Sequence, residues 1–419
     1  MLTKTKKCAT ELLSVYAQKI DTEIAADRAG RRKMGFSIQR RADERKIQTL
    51  VGEVSYHRND YKNASGGYEY LTDMVLGVNH RERVSEGLSL ALATAAKDMS
   101  YEKSSRYVSN GEISRQTVMS RVRRGKAIEE TVERRCIPEL HIDADEAHVT
   151  MQNGSKSIVP LISFYEGIER LGKRGICKNV HHISEYGKSS DDLWEQALSK
   201  IERRYDLSGT KIYLHGDGGS WIQMGLEWIP TAVFVLDKYH KNKAIKQMTA
   251  GFDLKTRKEF DENIREALAT EDLQFFDELT QSIAWQIPKR ADKIFTSAGY
   301  LKKFSGGISV CKTDPHANNG GCTEPHVSHV LSARLSSRPR AWSKTTLQKL
   351  APILACGKVS LISKSEVFPL PAPLQRAAVT AKKTLQRQTS GLPAPDSIGV
   401  LPISGKTTGT QKLLKFFSK

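Results

Sequence analysis

The chain has 419 residues and carries 65 Lys and Arg against 47 Asp and Glu, a formal net charge of +18 with a pI near 9.5. This length predicts two or more domains, and the basic surplus indicates nucleic acid as the leading partner. The chain shows no signal-peptide core and no segment near the roughly 18 apolar residues of a membrane span, which predicts a soluble cytoplasmic protein. Its six cysteines include no C-x-x-C pair, which predicts free thiols and argues against a disulfide framework.

The N-terminal third is predicted to be mostly helical. Residues 1–50 place apolar positions at helical spacing among many basic residues, which indicates a basic helical lead-in. Residues 51–82 carry β-branched and aromatic residues around an Asn-Ala-Ser-Gly-Gly turn, which favours a small hairpin unit. Residues 83–130 contain three short helical patterns and predict a helix-turn-helix.

The last helix of that unit would enter the major groove of DNA. Arg115, Gln116 and Arg123 are residue types able to contact base edges or phosphates there. A structural helical bundle with a solvated basic face explains the same pattern equally well. Both interpretations stay open at this point.

From residue 136 the pattern alternates between strands and helices. Three successive strands, a helix, a fourth strand, a short helical stretch, a fifth strand and a further helix occupy 136–251. This order is the topology of an RNase H-like core, which residues 318–342 would complete with a helix beginning at Thr323. Residues 252–317 predict a mainly helical insertion, ending in a Gly- and Asn-rich loop from Phe304 to Cys322.

Composition changes again in residues 343–419, which hold 7 of the 14 prolines and 12 basic against 2 acidic residues. The segment predicts a basic Pro/Ser-rich tail, flexible from about Val367 and able to lie on DNA. The predicted fold is therefore α/β, an RNase H-like catalytic core with a helical insertion, preceded by a mostly helical DNA-binding region and followed by a flexible basic tail.

Acidic residues stand at three points where an RNase H-like core needs them. Asp143 and Asp145 lie two apart on the first strand, so both point to one face. Asp217 follows the fourth strand, and its flanking glycines would let the backbone and a substrate approach closely. Glu324 begins the late helix. Each acid alone is more typical of a solvated surface, and the combination with strand order is what favours a site.

Converging carboxylates are ligands for hard cations, so two Mg²⁺ or Mn²⁺ ions are the expected cofactors. Such ions activate water or a DNA 3′-OH for in-line attack on a phosphodiester. Hydrolysis gives a nick, and attack by the hydroxyl gives strand transfer.

Four segments resemble the ISLre-type bacterial insertion-sequence transposases, and more distantly the Mutator-like transposases. They are HIDADEAHV at 141–149, HGDGGSWI at 215–222, FVLDKYHKNK at 234–243 and EPHVSHVLSARLSSRP at 324–339. The resemblance implies a DDE-type transposase acting on double-stranded DNA as a homo-oligomer, with Asp145, Asp217 and Glu324 as catalytic and metal-binding residues. Asp143 is the alternative first acid. Pro325 departs from the small residue usual after the third acid.

The resemblance also implies supporting residues. Asp237 and His240 match a signature that follows the second acid, and His240 would contact DNA or support the site; local capping by this histidine is the equal alternative. The residues suited to phosphate contacts are His326, His329, Arg334 and Arg338.

The tail contains Gln411, Leu414 and Phe416 in the Q-x-x-L-x-F pattern by which bacterial replication partners bind the sliding clamp. The pattern is short, and chance occurrence is the alternative.

The sequence thus predicts a DNA transposase associated with the bacterial nucleoid. The alternatives are a structure-selective nuclease on the same core and a catalytically decayed copy that still binds DNA. Inverted repeats and target duplications beside the gene would separate a mobile element from both.

Overall fold

A computed structural model describes residues 2–128, 133–172, 174–338, 340–361 and 370–389. The protein is mixed α/β and divides into two compact units. The terminal unit comprises residues 1–46, 54–81 and 367–419, and the central unit comprises 47–53 and 82–366.

The helices and strands of the N-terminal region are α1 (Leu2–Ala26), α2 (Arg28–Lys33), β1 (Ser37–Thr49), β2 (Gly52–Lys62), β3 (Tyr68–Glu69), α3 (Leu71–Val75), α4 (Glu86–Asp98), α5 (Tyr101–Ser109), α6 (Arg115–Arg124) and β4 (Gly125–Ala127). Those that follow up to the fifth core strand are β5 (Arg135–Cys136), β6 (Glu139–Thr150), β7 (Lys156–Tyr165), β8 (Ile168–Leu171), β9 (Arg174–Cys177), β10 (His181–Ile183), α7 (Ser190–Glu202), β11 (Tyr205–Asp206), β12 (Lys211–Gly216), α8 (Ser220–Gln223), α9 (Gly225–Trp228) and β13 (Ala232–Leu236).

The remaining elements are α10 (Lys238–Thr249), α11 (Leu254–Ala269), α12 (Leu273–Gln286), α13 (Ala291–Lys303), α14 (Ser305–Thr313), α15 (Thr323–His326), α16 (Ala333–Leu335), α17 (Lys344–Cys356), β14 (Val359–Leu361) and α18 (Ala372–Thr389). Short 3₁₀ turns occupy Pro288–Arg290 and Pro315–Asn319, and a π-helical segment, Val327–Ser332, joins α15 to α16.

The terminal unit packs α1 against α18. Ile20 and Ile24 of α1 are buried with Leu374, Ala377 and Ala381 of α18. These α18 positions recur every three to four residues and form one apolar helix face. The prediction of a flexible tail from about Val367 is therefore wrong for 372–389, because a partner helix distant in sequence covers that face.

Residues 37–49 also differ from the prediction. They form β1 of a three-stranded sheet in the order β1-β2-β3, whereas the sequence pattern predicted a helical lead-in up to residue 50. Their mixture of charged and polar residues fits a helix as well as a strand, and pairing with β2 decides between them. The Asn63–Gly67 turn forms as expected, with the Asn63 side chain accepting from the Gly67 N–H at 2.7 Å.

In the central unit, α4, α5 and α6 form the expected three-helix arrangement. Asn110 and Gly111 adopt left-handed backbone conformations with φ of 53° and 88°, which form the turn between α5 and α6. Val118 and Val122 of α6 are fully buried in a core shared with α17, which belongs to the segment predicted as a tail. The predicted boundary at residue 343 thus falls inside a packed core.

A five-stranded sheet forms the middle of the central unit, in the order β10-β7-β6-β12-β13. The pairs β10–β7 and β7–β6 are antiparallel, whereas β6–β12 and β12–β13 are parallel. One face is apolar and packs on α7, with Ile142, Phe164, Ile183 and Leu214 in its core. Since side chains alternate along a strand, the intervening residues all lie on the opposite face.

After α10 the chain forms the helices α11 to α14, which bury residues around Phe276 and Ile283. The helical part of this segment extends further than predicted, because residues 305–313 form α14 and not a loop. Gly307 packs so closely that a Cβ there would lie 2.8 Å from the Phe234 ring. Tertiary packing on β13 therefore outweighs the low helix propensity of the two glycines.

Candidate active site

The face of the sheet opposite α7, which we call the polar face, collects side chains from four strands. Register places His215 and Ser163 beside Asp143, and Tyr165 beside His141. The members of this face are His141, Asp143, Asp145, Ser163, Tyr165, His182, Tyr213 and His215. Asp217 directly follows β12, two residues beyond His215, and residues 320–326 pack over part of this face.

Asp145 lies among negative charges. Burial raises the pKa of its carboxyl to about 7, and the charges of Glu324 and Asp217 act in the same direction. The N–H of Glu146 donates to Asp145 Oδ1 at 2.8 Å and offsets part of that rise. The fold thus brings the three predicted acids into one electrostatic neighbourhood.

Asp217 is positioned by its own turn and by the insertion. Its Oδ1 accepts the Gly219 N–H at 2.8 Å, and Tyr300 Oη of α13 donates to the Asp217 carbonyl oxygen at 2.8 Å. Gly218 has φ +84°, and a Cβ there would lie 2.2 Å from the Phe304 ring. The glycine after Asp217 is therefore required both by backbone conformation and by contact with the insertion.

Glu324 lies in the first turn of α15, which begins at Thr323 as the sequence predicted. The first helical hydrogen bond runs from the His326 N–H to the Cys322 carbonyl at 3.0 Å. Pro325 needs no N–H bond at this position and so leaves the helix start intact.

Asp143 is separated from the other acids by its partners. It is 1% exposed, and Tyr165 Oη donates to its two carboxylate oxygens at 3.1 and 3.0 Å. The Cys322 N–H donates to Oδ2 at 2.8 Å, and His326 Nδ1 lies 3.2 Å from the same oxygen. Of the two candidates for the first acid, Asp145 alone shares the surroundings of Asp217 and Glu324.

Asp237 caps α10, accepting the N–H groups of Tyr239 and His240 at Oδ2, at 3.0 and 3.1 Å. His240 Nδ1 lies 3.1 Å from the same oxygen. This contact raises the pKa of His240, and the charges of Asp217 and Asp145 raise it further. His240 therefore lies beside the acids, while the capping role belongs to Asp237.

The donor chemistry of the three acids suits a hard cation, because carboxylate oxygens are the ligands that Mg²⁺ and Mn²⁺ prefer. Among the described residues, none of these acids forms an ion pair with Lys or Arg, and no group of three or more His, Cys, Asp or Glu side chains encloses one metal position. The acids thus share a face without closing on a single point.

A cavity of about 290 Å³ lies against residues of β10, α7 and α17 that include Ile183, Lys200 and Ala355. None of the three acids lines this cavity.

Several predicted phosphate-binding residues lie elsewhere. Arg334 is 4% exposed, its Nε donates to the Ala96 carbonyl at 2.8 Å, and it stacks on Trp342. Because Arg334 is buried and bound within the protein, the prediction of a phosphate contact is wrong for this residue; burial also lowers its pKa to about 10. His326 points inward to Asp143, while His329 and Arg338 are exposed.

Arg123 is likewise bound within the protein, by Thr346 Oγ1 at 3.0 Å from its Nε and by Ser343 Oγ at 3.0 Å from its Nη2. Its predicted contact with DNA is replaced by this bond to the start of α17. Arg115 and Gln116, by contrast, are exposed at the N-terminus of α6, which Ser114 caps.

The polar face contains residues that the sequence patterns did not single out. His141 Nδ1 lies 3.0 Å from His215 Nε2, and Cys177 Sγ lies 3.6 Å from His326 Nε2. The Cys177 and Cys322 thiols are hydrogen-bonded although they are 145 positions apart, and all six cysteines are free. The period-2 alternation that pairs Asp143 with Asp145 also selects His141 and His215, and was the available signal.

No helix among the described residues is long and apolar enough to cross a membrane. The sliding-clamp pattern of Gln411, Leu414 and Phe416 lies outside the described residues, so it stays a prediction.

Comparison with known proteins gives one consistent match. A sequence model of an uncharacterised protein family (UPF0236) matches residues 1–364. A UPF0236 protein of Caldanaerobacter subterraneus subsp. tengcongensis is 34% identical over 360 residues, covering 84% of this chain and 75% of that protein. The name of this relative combines eleven locus designations of that genome. A second UPF0236 protein of the same organism is 32% identical over 360 residues, covering 84% of this chain and 75% of that protein, and its name combines four locus designations. A UPF0236 protein of Streptococcus gallolyticus is 22% identical over 426 residues, covering 97% of this chain and 93% of that protein.

Proposed function

Because the chain belongs to the UPF0236 family, whose members occupy many loci of one genome, we propose that it is a DNA transposase of the DDE type. Multiple copies in one genome are what a mobile element leaves behind as it inserts. The observation that carries the chemistry is the position of Asp145, Asp217 and Glu324 beside one sheet face, where burial first, and the charges of Glu324 and Asp217 second, raise the pKa of Asp145.

Strand order supports an RNase H-like core. Three antiparallel strands, β6, β7 and β10, are followed by the parallel strands β12 and β13 on the other side of β6. The first acid lies on the central strand, the second follows its parallel neighbour, and the third begins a helix after the insertion. These are the positions along the chain at which an RNase H-like core carries its acids, and they support a site for the hard cations of two-metal phosphoryl transfer.

Mg²⁺ or Mn²⁺ bound to these carboxylates would supply activation of water or a DNA 3′-OH and stabilisation of the departing oxygen. The Glu146 and Gly219 N–H groups hold the carboxylates of Asp145 and Asp217 in place. His240, whose raised pKa favours the protonated form, places positive charge beside the acids where a DNA phosphate would lie.

The DNA ends would be recognised by the helix-turn-helix formed by α5 and α6. Ser114, Arg115, Gln116 and Ser120 are exposed along the first turns of α6, while Val118 and Val122 hold its other face in the core. This exposure is what a recognition helix needs. The net charge of +18 supports binding to the phosphate backbone and a place on the bacterial nucleoid. A homo-oligomer would hold the two DNA ends together.

The test uses purified protein and labelled DNA from both flanks of its gene, with Mg²⁺ or Mn²⁺. We expect nicks that leave a 3′-OH at the element boundary and, with target DNA, joined products. Asp217→Asn and Glu324→Gln should each lower cleavage by about a thousandfold or more while DNA binding persists. Matched substitutions of exposed acids, Asp292→Asn and Glu227→Gln, should leave cleavage at the wild-type rate. Cleavage that survives both active-site substitutions would refute the assignment of the acids.

The same experiment separates the alternatives. A structure-selective nuclease would cut branched DNA without preference for the flanking sequence and would form no joined products. A decayed copy would bind the flanks and cut nothing in either metal. The chain retains all three acids, and Asp145 and Asp217 each accept a backbone hydrogen bond, which favours an active enzyme.

A further inference from the structure

The buried carboxylate of Asp143 contacts the segment that carries Glu324. A carboxylate that is 1% exposed needs several hydrogen bonds to offset the loss of water. Tyr165 Oη donates to both oxygens, and Oδ2 also receives the Cys322 N–H and faces His326 Nδ1. Both oxygens are therefore engaged inside the protein.

The partners of Asp143 lie on one short stretch of chain. Tyr165 Oη, besides donating to Asp143, accepts the Gly321 N–H at 2.9 Å. Asp143 and Tyr165 thus hold the consecutive N–H groups of Gly321 and Cys322, which directly precede α15. Two strands of the sheet fix the approach to the helix that carries Glu324.

This helix lacks the usual means of fixing its own start. Cys322, the residue before α15, makes no side-chain hydrogen bond to the first turn. The preceding Gly320 and Gly321 have no side chains to anchor them, and Gly320 lies where a Cβ would be 2.3 Å from His141 Nδ1. The carboxylate of Asp143 instead fixes the residue before α15, because it accepts the Cys322 N–H at 2.8 Å.

We propose that Asp143 is a positioning residue which, through the Cys322 N–H and Tyr165, sets the place of Glu324 relative to Asp145. The role rests on the proposed function for its catalytic meaning. Asp143 and Asp145 are two residues apart on one strand, so the same rigid element carries the first acid and the anchor of the third. The two acids of the D-x-D pattern thereby have different roles: Asp145 is the proposed catalytic acid, and Asp143 positions the helix that carries Glu324.

The first test measures amide hydrogen exchange in the full-length protein, over peptides covering residues 320–332, and needs no activity. Asp143→Ala and Tyr165→Phe should each speed exchange at 321–326 by about tenfold, because each removes a buried acceptor of these N–H groups. Asp143→Asn keeps an acceptor oxygen and should have a smaller effect. Unchanged exchange in both Asp143→Ala and Tyr165→Phe would overturn the proposal.

Tyr205→Phe is the matched control, because Tyr205 is also a buried tyrosine whose hydroxyl donates to a carboxylate, Glu166 Oε1, at 2.8 Å. It should leave exchange at 321–326 at the wild-type rate. If it speeds exchange there as much as Tyr165→Phe does, the effect is general loosening and the proposal fails. Should Asp143→Ala not fold, Tyr165→Phe and Asp143→Asn carry the test.

The second test separates an anchor from a metal ligand by titrating Mn²⁺ and measuring the free ion by electron paramagnetic resonance. Asp145→Asn should weaken Mn²⁺ binding by about tenfold or more, and Asp143→Asn by less than about threefold. Equal losses would make Asp143 a ligand and overturn the proposal. In single-turnover cleavage, Asp143→Asn should be about tenfold slower, far less affected than Glu324→Gln. A wild-type protein that binds no Mn²⁺ and cuts no DNA would refute the proposed function, while the exchange data would still decide the anchoring role.

Discussion

Two acids, Asp73 of the terminal unit and Asp145 of the central unit, have opposite electrostatic surroundings. In the terminal unit, Asp73 is paired with Arg58, lies 3.8 Å from Arg45 Nε and accepts from Tyr56 Oη at 2.7 Å. In the central unit, Asp145 has no basic partner of this kind among the described residues, and its pKa rises to about 7. An acid that is paired with basic residues stabilises the fold, whereas an acid without such a partner is available to bind an external cation.

Asp21 extends the comparison, since it is satisfied by neutral donors. Its carboxylate accepts from the Asn59 N–H at 2.8 Å, from Asn59 Nδ2 at 2.7 Å and from Thr72 Oγ1 at 2.7 Å. These bonds join α1, β2 and α3, so their role is structural. The number and source of partners, and not burial alone, distinguish the acids that hold the fold from those that could carry chemistry.

The largest expected effect is on catalysis. Asp145→Asn should lower DNA cleavage by about a thousandfold or more, because it removes a metal-binding oxygen. The same substitution should leave the melting temperature of the metal-free protein unchanged or higher, because it removes repulsion from Glu324 and Asp217. Cleavage assays and calorimetry on one sample measure both. A large loss of stability would show that Asp145 is a structural acid after all.

Removing the compensated acid should do the reverse. Asp73→Ala leaves Arg58 buried without its partner and should cost about 3–5 kcal/mol of unfolding free energy. Urea unfolding followed by circular dichroism measures the change. At temperatures where the variant stays folded, its Mn²⁺ affinity should equal that of the wild type. A fall in affinity would show that the surroundings of Asp73 and those of Asp145 are coupled.

Two histidines of the central unit and Asp21 of the terminal unit should also respond to pH with opposite sign. Burial lowers the pKa of His141 and of His182 to about 3 in the central unit. Below pH 6.5 the unfolded chain therefore binds protons that the folded unit excludes, so stability present above that pH is lost as pH falls. The expected loss is about 1.4 kcal/mol per pH unit for each histidine. In the terminal unit burial raises the pKa of Asp21, so its contribution is present in acid and declines as pH rises above about 4.

Tryptophan fluorescence can isolate this effect, because all five tryptophans lie in the central unit. Urea midpoints recorded between pH 7.5 and 5 should fall with pH, and His141→Gln and His182→Gln should each flatten the dependence. A midpoint that stays constant over this range would show that the histidines are not buried as neutral groups.

The smallest expected effect compares two arginines of α6. Arg115 is exposed, so Arg115→Ala should weaken DNA binding by about tenfold and reduce the salt dependence by about one ion. Arg123 is bound to Ser343 and Thr346, so Arg123→Ala should lower stability and leave the salt dependence unchanged. Filter binding at several salt concentrations distinguishes them, and equal effects on DNA would contradict the assignment of α6 as a recognition helix.

Much of the central unit could be predicted from sequence. Period-2 alternation identified β6 and β7, helical spacing identified α4 to α7, and the turn at Asn110 and the start of α15 at Thr323 lie where the residues indicated. These features are local, because propensity, capping and alternation act over a few residues. The helical character of α14 and α18 and the strand β1 were not predictable in this way, since a distant partner decides each of them.

The sequence by itself determined which residue types stand on which element: acids on β6, after β12 and at the start of α15, within a basic chain. Only the tertiary structure decided what each charge meets. It placed Asp145 beside Asp217 and Glu324, turned the neighbouring Asp143 to the N–H groups before α15, and buried Arg334 beneath Trp342. The physical reason is that the cost of a charge depends on its partners and its access to water, and elements far apart in the chain supply both.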